Sequence, residues 1–350
     1  MKNKLYYGDN LDVLRKYIKD ESVDLCYIDP PFNSKRNYNQ IYNNVGKEDK
    51  AQAQAFVDTW TWDDEANQGL REIQSNFNGM FTSQSIDLID GLTKVLKKGS
   101  LLAYLVSMTL RIAEIHRVLK STGSFYLHCD PTAGHYLKLM LDAIFCPRGG
   151  EFRNEIVWCY TGPGSPGMRQ FMRKHDTLFW YSKGKTWCFN ADAVRVAHSE
   201  KTKANYRHGL VGSGFIEAEH KIHEQGKVPE DWWQIAIAPR GKEYLGYPTQ
   251  KPEALLERII KASSDENAVI LDAYCGCGTT IAVAEKLKRN WIGIDITYQS
   301  ISLILKRLAE QTPGALDTLE INGKFLFALR SHRKSLFKID FGCVVLSQRR

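Results

Sequence analysis

Apolar positions in this chain fall into short runs that stop abruptly at acids, prolines or glycines, and these runs alternate with stretches of helical spacing. Residues 23–28 (VDLCYI) are nearly continuously apolar and end at Asp29-Pro30-Pro31, the pattern of a buried strand of a parallel sheet with a rigid loop at its C-terminal end. Residues 33–80 turn polar, rich in Asn, Gln and Asp, and predict a loop with one helix around 51–60 and no sheet element. Helical spacing returns over 101–119; Ser121-Thr122-Gly123 is expected to end it, and 124–128 (SFYLH) reads as a second strand. A helix over 135–145 and a strand over 155–159 follow. At 162–167 (GPGSPG) the alternation stops in a hinge, and the weakly periodic stretch to about 245 is expected to be an inserted lobe.

After the insert, residues 253–263 place Leu255, Leu256, Ile259 and Ile260 on one helical face. A strand over 269–271 runs into Asp272-Ala-Tyr-Cys-Gly-Cys-Gly-Thr-Thr280, which opens a helix over 281–287; 291–296 is the next strand and 298–309 the next helix. Strand, glycine loop, helix, strand and acid make up half of a doubly wound nucleotide-binding sheet.

Composition narrows the class. With 350 residues, 43% hydrophobic and 25% charged, the chain suits one large α/β domain with an inserted lobe, or two domains; a disordered, collagen-like or disulfide-scaffold protein is excluded. No run approaches the roughly 18 apolar residues of a membrane span, and MKNKLYYGDN carries no apolar signal core, so a cytoplasmic protein without a membrane partner is expected. The cysteines have no framework spacing and read as reduced, mostly buried thiols. Cys275 and Cys277 form a CxC, and His220 and His223 an HxxH, but no second pair sits at zinc spacing, so no metal is expected.

The charge is segregated. Residues 165–207 carry nine Lys/Arg against three acids, residues 321–350 carry seven against one, and the rest of the chain is acidic although the total is +7. Phe171, Phe179, Trp180, Tyr181, Trp187, Phe189 and Tyr206 interleave with the first basic stretch. Such a stretch suits a surface that meets phosphates with cations and bases with rings, and equally a lobe with its own aromatic core and a solvated basic rim.

Gly276-Cys277-Gly278 allows close backbone approach to a ligand, and Asp295, at a strand end, suits ribose hydroxyls. The third glycine of the dinucleotide fingerprint is missing and no GK[ST] follows, which favours a nucleoside ligand without phosphates. In Asp29-Pro30-Pro31-Phe32 the carboxylate and the Pro30 carbonyl can both accept from one exocyclic amino group, Pro31 stiffens the turn, and Phe32 offers a face to a flipped-out base. A proline-stiffened turn without chemistry accounts for the same residues.

Together these segments resemble the DNA amino-methyltransferases, S-adenosylmethionine-dependent enzymes that methylate adenine N6 or cytosine N4. Asp29, Pro30, Pro31 and Phe32 match their catalytic tetrapeptide, and residues 272–280 are similar to their cofactor loop. The resemblance implies cofactor contacts from Asp29, Asp272, Tyr274, Cys275, Gly276, Gly278, Thr279 and Asp295; Tyr274 stands where the family more often has Phe. Tyr247-Pro-Thr-Gln-Lys-Pro-Glu253 is similar to the segment that holds the methionine end, implying Thr249, Gln250 and Lys251. Tyr7-Gly-Asp-Asn-Leu-Asp-Val-Leu14 is similar to the opening segment whose acid, here Asp9, meets the cofactor adenine.

The order of these motifs resembles the β class. It implies an α/β fold, a permuted Rossmann-like methyltransferase sheet with helices on both faces and an inserted target-recognition lobe. The expected division is a catalytic half over 1–162, the recognition lobe over 163–245, a cofactor-binding half over 246–320, and a basic tail over 321–350. The tail matches nothing familiar and is open to three readings: a DNA contact, a peripheral strand pair or a solvated appendage. Double-stranded DNA is the expected partner, touched by Lys35, Arg36, Arg169, Arg173 and Lys174; a homodimer and a cognate restriction enzyme stay open.

Asp at position 29 goes with adenine in this family, where Ser usually accompanies cytosine N4, so adenine N6 is the expected target and cytosine N4 the alternative. An RNA target and a non-catalytic DNA-binding subunit of a modification complex are further readings. Methylation at cytosine carbon 5 needs a Cys nucleophile, conventionally after Pro, and Cys146-Pro147 has the reverse order.

Overall fold

The strand at 23–28 is apolar except at Asp24 because a layer of helices closes on each of its faces. The structure, a computed structural model, describes residues 3–32, 60–160, 169, 171–207, 222–238, 243–247, 249–317 and 319–323. The chain runs β1 (Lys4–Tyr7), α1 (Asn10–Tyr17), β2 (Val23–Ile28), α2 (Asp64–Ser75), α3 (Ser83–Leu96), α4 (Ser100–Val118) and β3 (Leu119–Cys129). It continues through α5 (Gly134–Phe145), β4 (Glu151–Cys159), β5 (His175–Ser182), α6 (Glu200–Arg207) and β6 (Trp232–Gln234). The last part comprises α7 (Glu253–Ser263), β7 (Val269–Asp272), α8 (Thr279–Lys286), β8 (Asn290–Asp295), α9 (Tyr298–Gln311) and β9 (Glu320–Gly323).

The strands form one nine-stranded sheet in the order β6-β4-β5-β3-β2-β7-β8-β1-β9. β5 alone runs antiparallel to its neighbours. Alternate residues of the central strands enter different cores: Cys26, Ile28 and Leu271 pack with α1 to α5, whereas Leu25, Tyr27 and Ile270 pack with α7 to α9. The expected fold class is therefore the one observed. Cys26 pairs with Leu271, which brings the C-terminal ends of β2 and β7 side by side although they lie far apart in sequence. Ligands of open α/β sheets bind at such strand ends. No helix among the described residues is long and apolar enough to cross a membrane.

Several elements differ from expectation. Polarity predicts a loop through residue 80, but Asp64–Ser75 is a helix that buries only Ala66, Gly69, Leu70 and Ile73, too thin a stripe to stand out among polar neighbours. Asp63 caps its N-terminus and Asn76, left-handed, ends it. The helix expected around 51–60 lies almost entirely outside the described residues. The Ser121-Thr122-Gly123 break does not separate helix from strand. β3 begins at once at Leu119, and the extra residues are absorbed as a register shift opposite Val23 and Leu25.

The boundary expected at residue 163 cuts the sheet. His175–Ser182 lies between β3 and β4, hydrogen-bonded to both, and Trp232–Gln234 adds to the β4 edge. The aromatic residues Phe179, Trp180 and Tyr181 thus belong to the main cores. At the other end β9 continues the sheet from Glu320 to Gly323, into the segment expected to be tail; 324–350 lie outside the described residues.

Candidate active site

The C-terminal ends of β1, β2, β7 and β8 surround a cavity of about 200 Å³. Asp29, Pro30, Pro31 and Phe32 follow β2 and form one wall. Asp29 is mostly buried. Its Oδ2 accepts from Lys251 Nζ at 2.5 Å, while its Oδ1 is buried with no hydrogen-bond partner among the described residues. Phe32 lies under the same ammonium, 5.6 Å from ring centroid to Nζ.

The glycine loop forms the opposite wall. Asp272, Tyr274, Cys275, Gly276 and Thr279 line the cavity, but Gly278 does not. Gly278 has φ +76°, and a Cβ there would lie 2.5 Å from Ile304 Cγ1, so this glycine lets the loop turn against α9. Thr279 starts α8, and its hydroxyl accepts from buried Arg307 at 3.2 Å; Arg307 also donates to Glu253 at 2.6 Å, clamping α7, α8 and α9 together. Burial pushes Asp272 from an ordinary value of 3.8 to about 7, against hydrogen bonds from Thr280 and the Tyr274 N–H and with the charges of Asp29 and Asp295 adding to the rise.

Asp295 also lines the cavity, at the end of β8, but its oxygens are not idle. Oδ2 accepts from the Gly276 N–H at 2.9 Å, and Oδ1 accepts from the Thr297 N–H at 2.8 Å and hydroxyl at 2.9 Å. Burial still raises its pKa against these bonds. Asp9 caps α1 with Oδ1 and receives buried Arg111 on Oδ2 at 2.7 Å. Thr249, Gln250 and Lys251 reach the cavity from the segment before α7. The Gln250 amide is spent on its own loop, donating to Glu243 O and accepting from the Leu245 N–H.

A family model described as DNA methylase, for N6 and N4 enzymes, matches residues 23–306. DNA adenine methyltransferase YhdJ of Escherichia coli is 30% identical over 342 residues, 96% of this chain and 92% of that protein. The chain belongs to the N6/N4 DNA methylase family. The type II methyltransferase M.BglII of Bacillus subtilis is 27% identical over 313 residues, 86% of this methylase and 69% of the relative. The solved PvuII DNA methyltransferase, described as cytosine-N4-specific, superposes with a TM-score of 0.52 at 16% identity, covering 91% of this chain and 90% of that one, and so shares the fold.

The cofactor of the methylase is S-adenosylmethionine. The residues present fit it: four acids, Asp9, Asp29, Asp272 and Asp295, line the cavity against two cations, Arg111 and Lys251, a negative balance that suits a ligand carrying a positive sulfur.

Several cavity residues escaped sequence reasoning. Asn10 donates to Ala273 O at 2.8 Å and accepts from Arg111 Nε at 2.6 Å, tying the opening segment to the glycine loop. Arg111 left a signal, a lone cation inside the apolar run 101–113. Ile296 lines the cavity and is 49% exposed, an apolar side chain at the rim where a strand end alone was expected. Trp60 and Tyr27 gave no signal beyond their ring type.

Of the expected DNA contacts, Arg169 and Arg173 are exposed and Lys174 half-buried, all just before β5 and outside the cavity. Cys129 pairs with Thr177, so β5 starts at the same end of the sheet as the strand ends that carry Asp29. Lys35, Arg36 and His220 lie outside the described residues. Among the described residues no group of three His, Cys, Asp or Glu side chains is placed to hold a metal.

Proposed function

We propose that this methylase acts on adenine N6 in double-stranded DNA, with Asp29, Pro30 and Phe32 holding the flipped-out base. The observation that carries the reading is Asp29 Oδ1, buried at the cavity wall without a hydrogen-bond partner among the described residues, beside a half-buried aromatic ring. An unsatisfied buried carboxylate oxygen is costly and is expected to meet a donor when the site is filled. An exocyclic amino group supplies one.

The bound cofactor contributes an electrophilic methyl group on a positively charged sulfur. Asp29 Oδ1 and the Pro30 carbonyl accept the two N–H bonds of the target, draw its lone pair out of conjugation and aim it across the cavity. After transfer the nitrogen is cationic and loses a proton to Asp29 or water, so Asp29 need not be a strong base. Lys251 on Oδ2 leaves Oδ1 as the free acceptor. Asp9 and Asp295 are read as the adenosine end of the cofactor site, and Thr249 and Lys251 as its methionine end. Arg169, Arg173 and Lys174 are read as phosphate contacts of a recognition region that overlaps the sheet.

Adenine is favoured by the acid at position 29 and by the adenine methyltransferase that is 30% identical over nearly the whole chain. The test is transfer of labelled methyl groups to unmethylated DNA, followed by mass analysis of the nucleosides. N6-methyladenine is expected, and Asp29→Ala should abolish it while cofactor affinity stays within several-fold. N4-methylcytosine as the product would overturn the adenine assignment, and full activity of Asp29→Ala would overturn the role of Asp29.

A further inference from the structure

His128, near the end of β3, is wholly buried and engaged at both ring nitrogens: Nδ1 lies 2.9 Å from the Tyr27 hydroxyl and Nε2 3.2 Å from Asp176 Oδ2. An imidazole bonded at both ends cannot turn about its last torsion, so its plane is fixed. Trp158 meets it edge-on, with ring centroids 5.6 Å apart and planes at 88°. On its face lies Phe32, with centroids 5.9 Å apart and planes at 28°. Phe32 lines the cavity and His128 does not.

We propose that His128 is a positioning residue for the target base, setting the plane of the Phe32 ring from behind. This rests on the reading of Phe32 as the platform for that base. The prolines stiffen the backbone before Phe32 but leave its side-chain torsions free; the His128 face removes that freedom on one side of the ring. Tyr27, His128 and Asp176 come from the adjacent strands β2, β3 and β5, so the support moves only if the sheet does. Asp176 entered the sequence reading only as an acid within a basic stretch.

The test compares His128→Ala, Phe32→Ala and the double variant by steady-state methyl transfer to DNA, with cofactor affinity measured by calorimetry. His128→Ala should raise KM for DNA about two- to tenfold, the worth of one aromatic pair, with cofactor affinity unchanged. Because His128 acts through Phe32, the double variant should be no worse than Phe32→Ala. His128→Phe restores a ring behind Phe32 while leaving Tyr27 and Asp176 without their imidazole, and should bring KM back toward the parent. A parental KM for His128→Ala, additive losses in the double variant, or His128→Phe as impaired as His128→Ala would each overturn the assignment. Parental kinetics for Phe32→Ala would instead overturn the platform reading beneath it.

Discussion

Lys251 Nζ stands 2.5 Å from Asp29 Oδ2, a pairing that spans 222 residues of sequence and joins the tetrapeptide to the segment before α7. The two side chains are only 12% and 18% exposed. Removing one partner of a buried pair strands the other charge, at a cost of about 3 kcal/mol. Lys251→Met is therefore expected to lower the unfolding free energy in urea by about that amount, and Asp29→Asn in the same background to recover most of it. Equal stability of Lys251→Met and the parent would show that solvent, rather than Lys251, balances Asp29.

The glycine loop offers two independent probes of cofactor binding. Gly278→Val puts a branched side chain into Ile304 at a left-handed position, so it should lower Tm as well as S-adenosylmethionine affinity. Asp295→Ala releases the Gly276 N–H and Thr297 together, and a loss of about tenfold in affinity is expected, the worth of one hydrogen bond to a charged group. Calorimetry reads both. Unchanged affinity in the two variants would reduce the loop to a structural turn.

Asp272 should leave a pH signature on stability. Its native pKa of about 7 exceeds the ordinary 3.8, so the folded protein holds a proton that the unfolded chain has lost between those values. The contribution is fully present below pH 3.8 and is lost as pH rises through about 7. Asp272→Asn is expected to flatten this decline, measured as unfolding free energy against pH, by a few kcal/mol at most. A cationic ligand favours the ionised carboxylate, so the stabilisation given by S-adenosylmethionine should grow with pH in the parent and not in Asp272→Asn. Parallel curves for the two proteins would mean that another group governs this window.

What the sequence made legible follows from how local each signal is. The helix at 253–263 and the strand at 23–28 were readable to the residue, because periodicity and a terminating Asp-Pro-Pro lie within one short window. That Gly276 and Asp295 meet at one cavity was readable because strand, loop and acid succeed one another in order. Tyr27, His128 and Asp176 were not, since their contact exists only once β5 turns back between β3 and β4. The basic composition of residues 165–207 concealed that strand, whose apolar core LFWY is flanked by cations. Gln250 shows the converse limit: it belongs to a recognisable motif, yet its amide serves the loop at 243–247.

The basic residues before β5 decide whether that end of the sheet faces DNA. Arg169 and Arg173 are exposed and Lys174 half-buried, and β5 starts beside the strand ends that carry Asp29 and Phe32. A duplex presenting a base to that cavity has its backbone alongside, within reach of long cationic side chains. Replacing all three by Gln should weaken DNA binding and lower the slope of log K against log salt by about 0.9 for each phosphate no longer neutralised. Cofactor affinity should be unaffected, because none of the three lines the cavity. A triple variant with the parental salt slope would make these charges solvated surface, and phosphate recognition would then have to come from residues 33–59 or from the basic segment after Gly323.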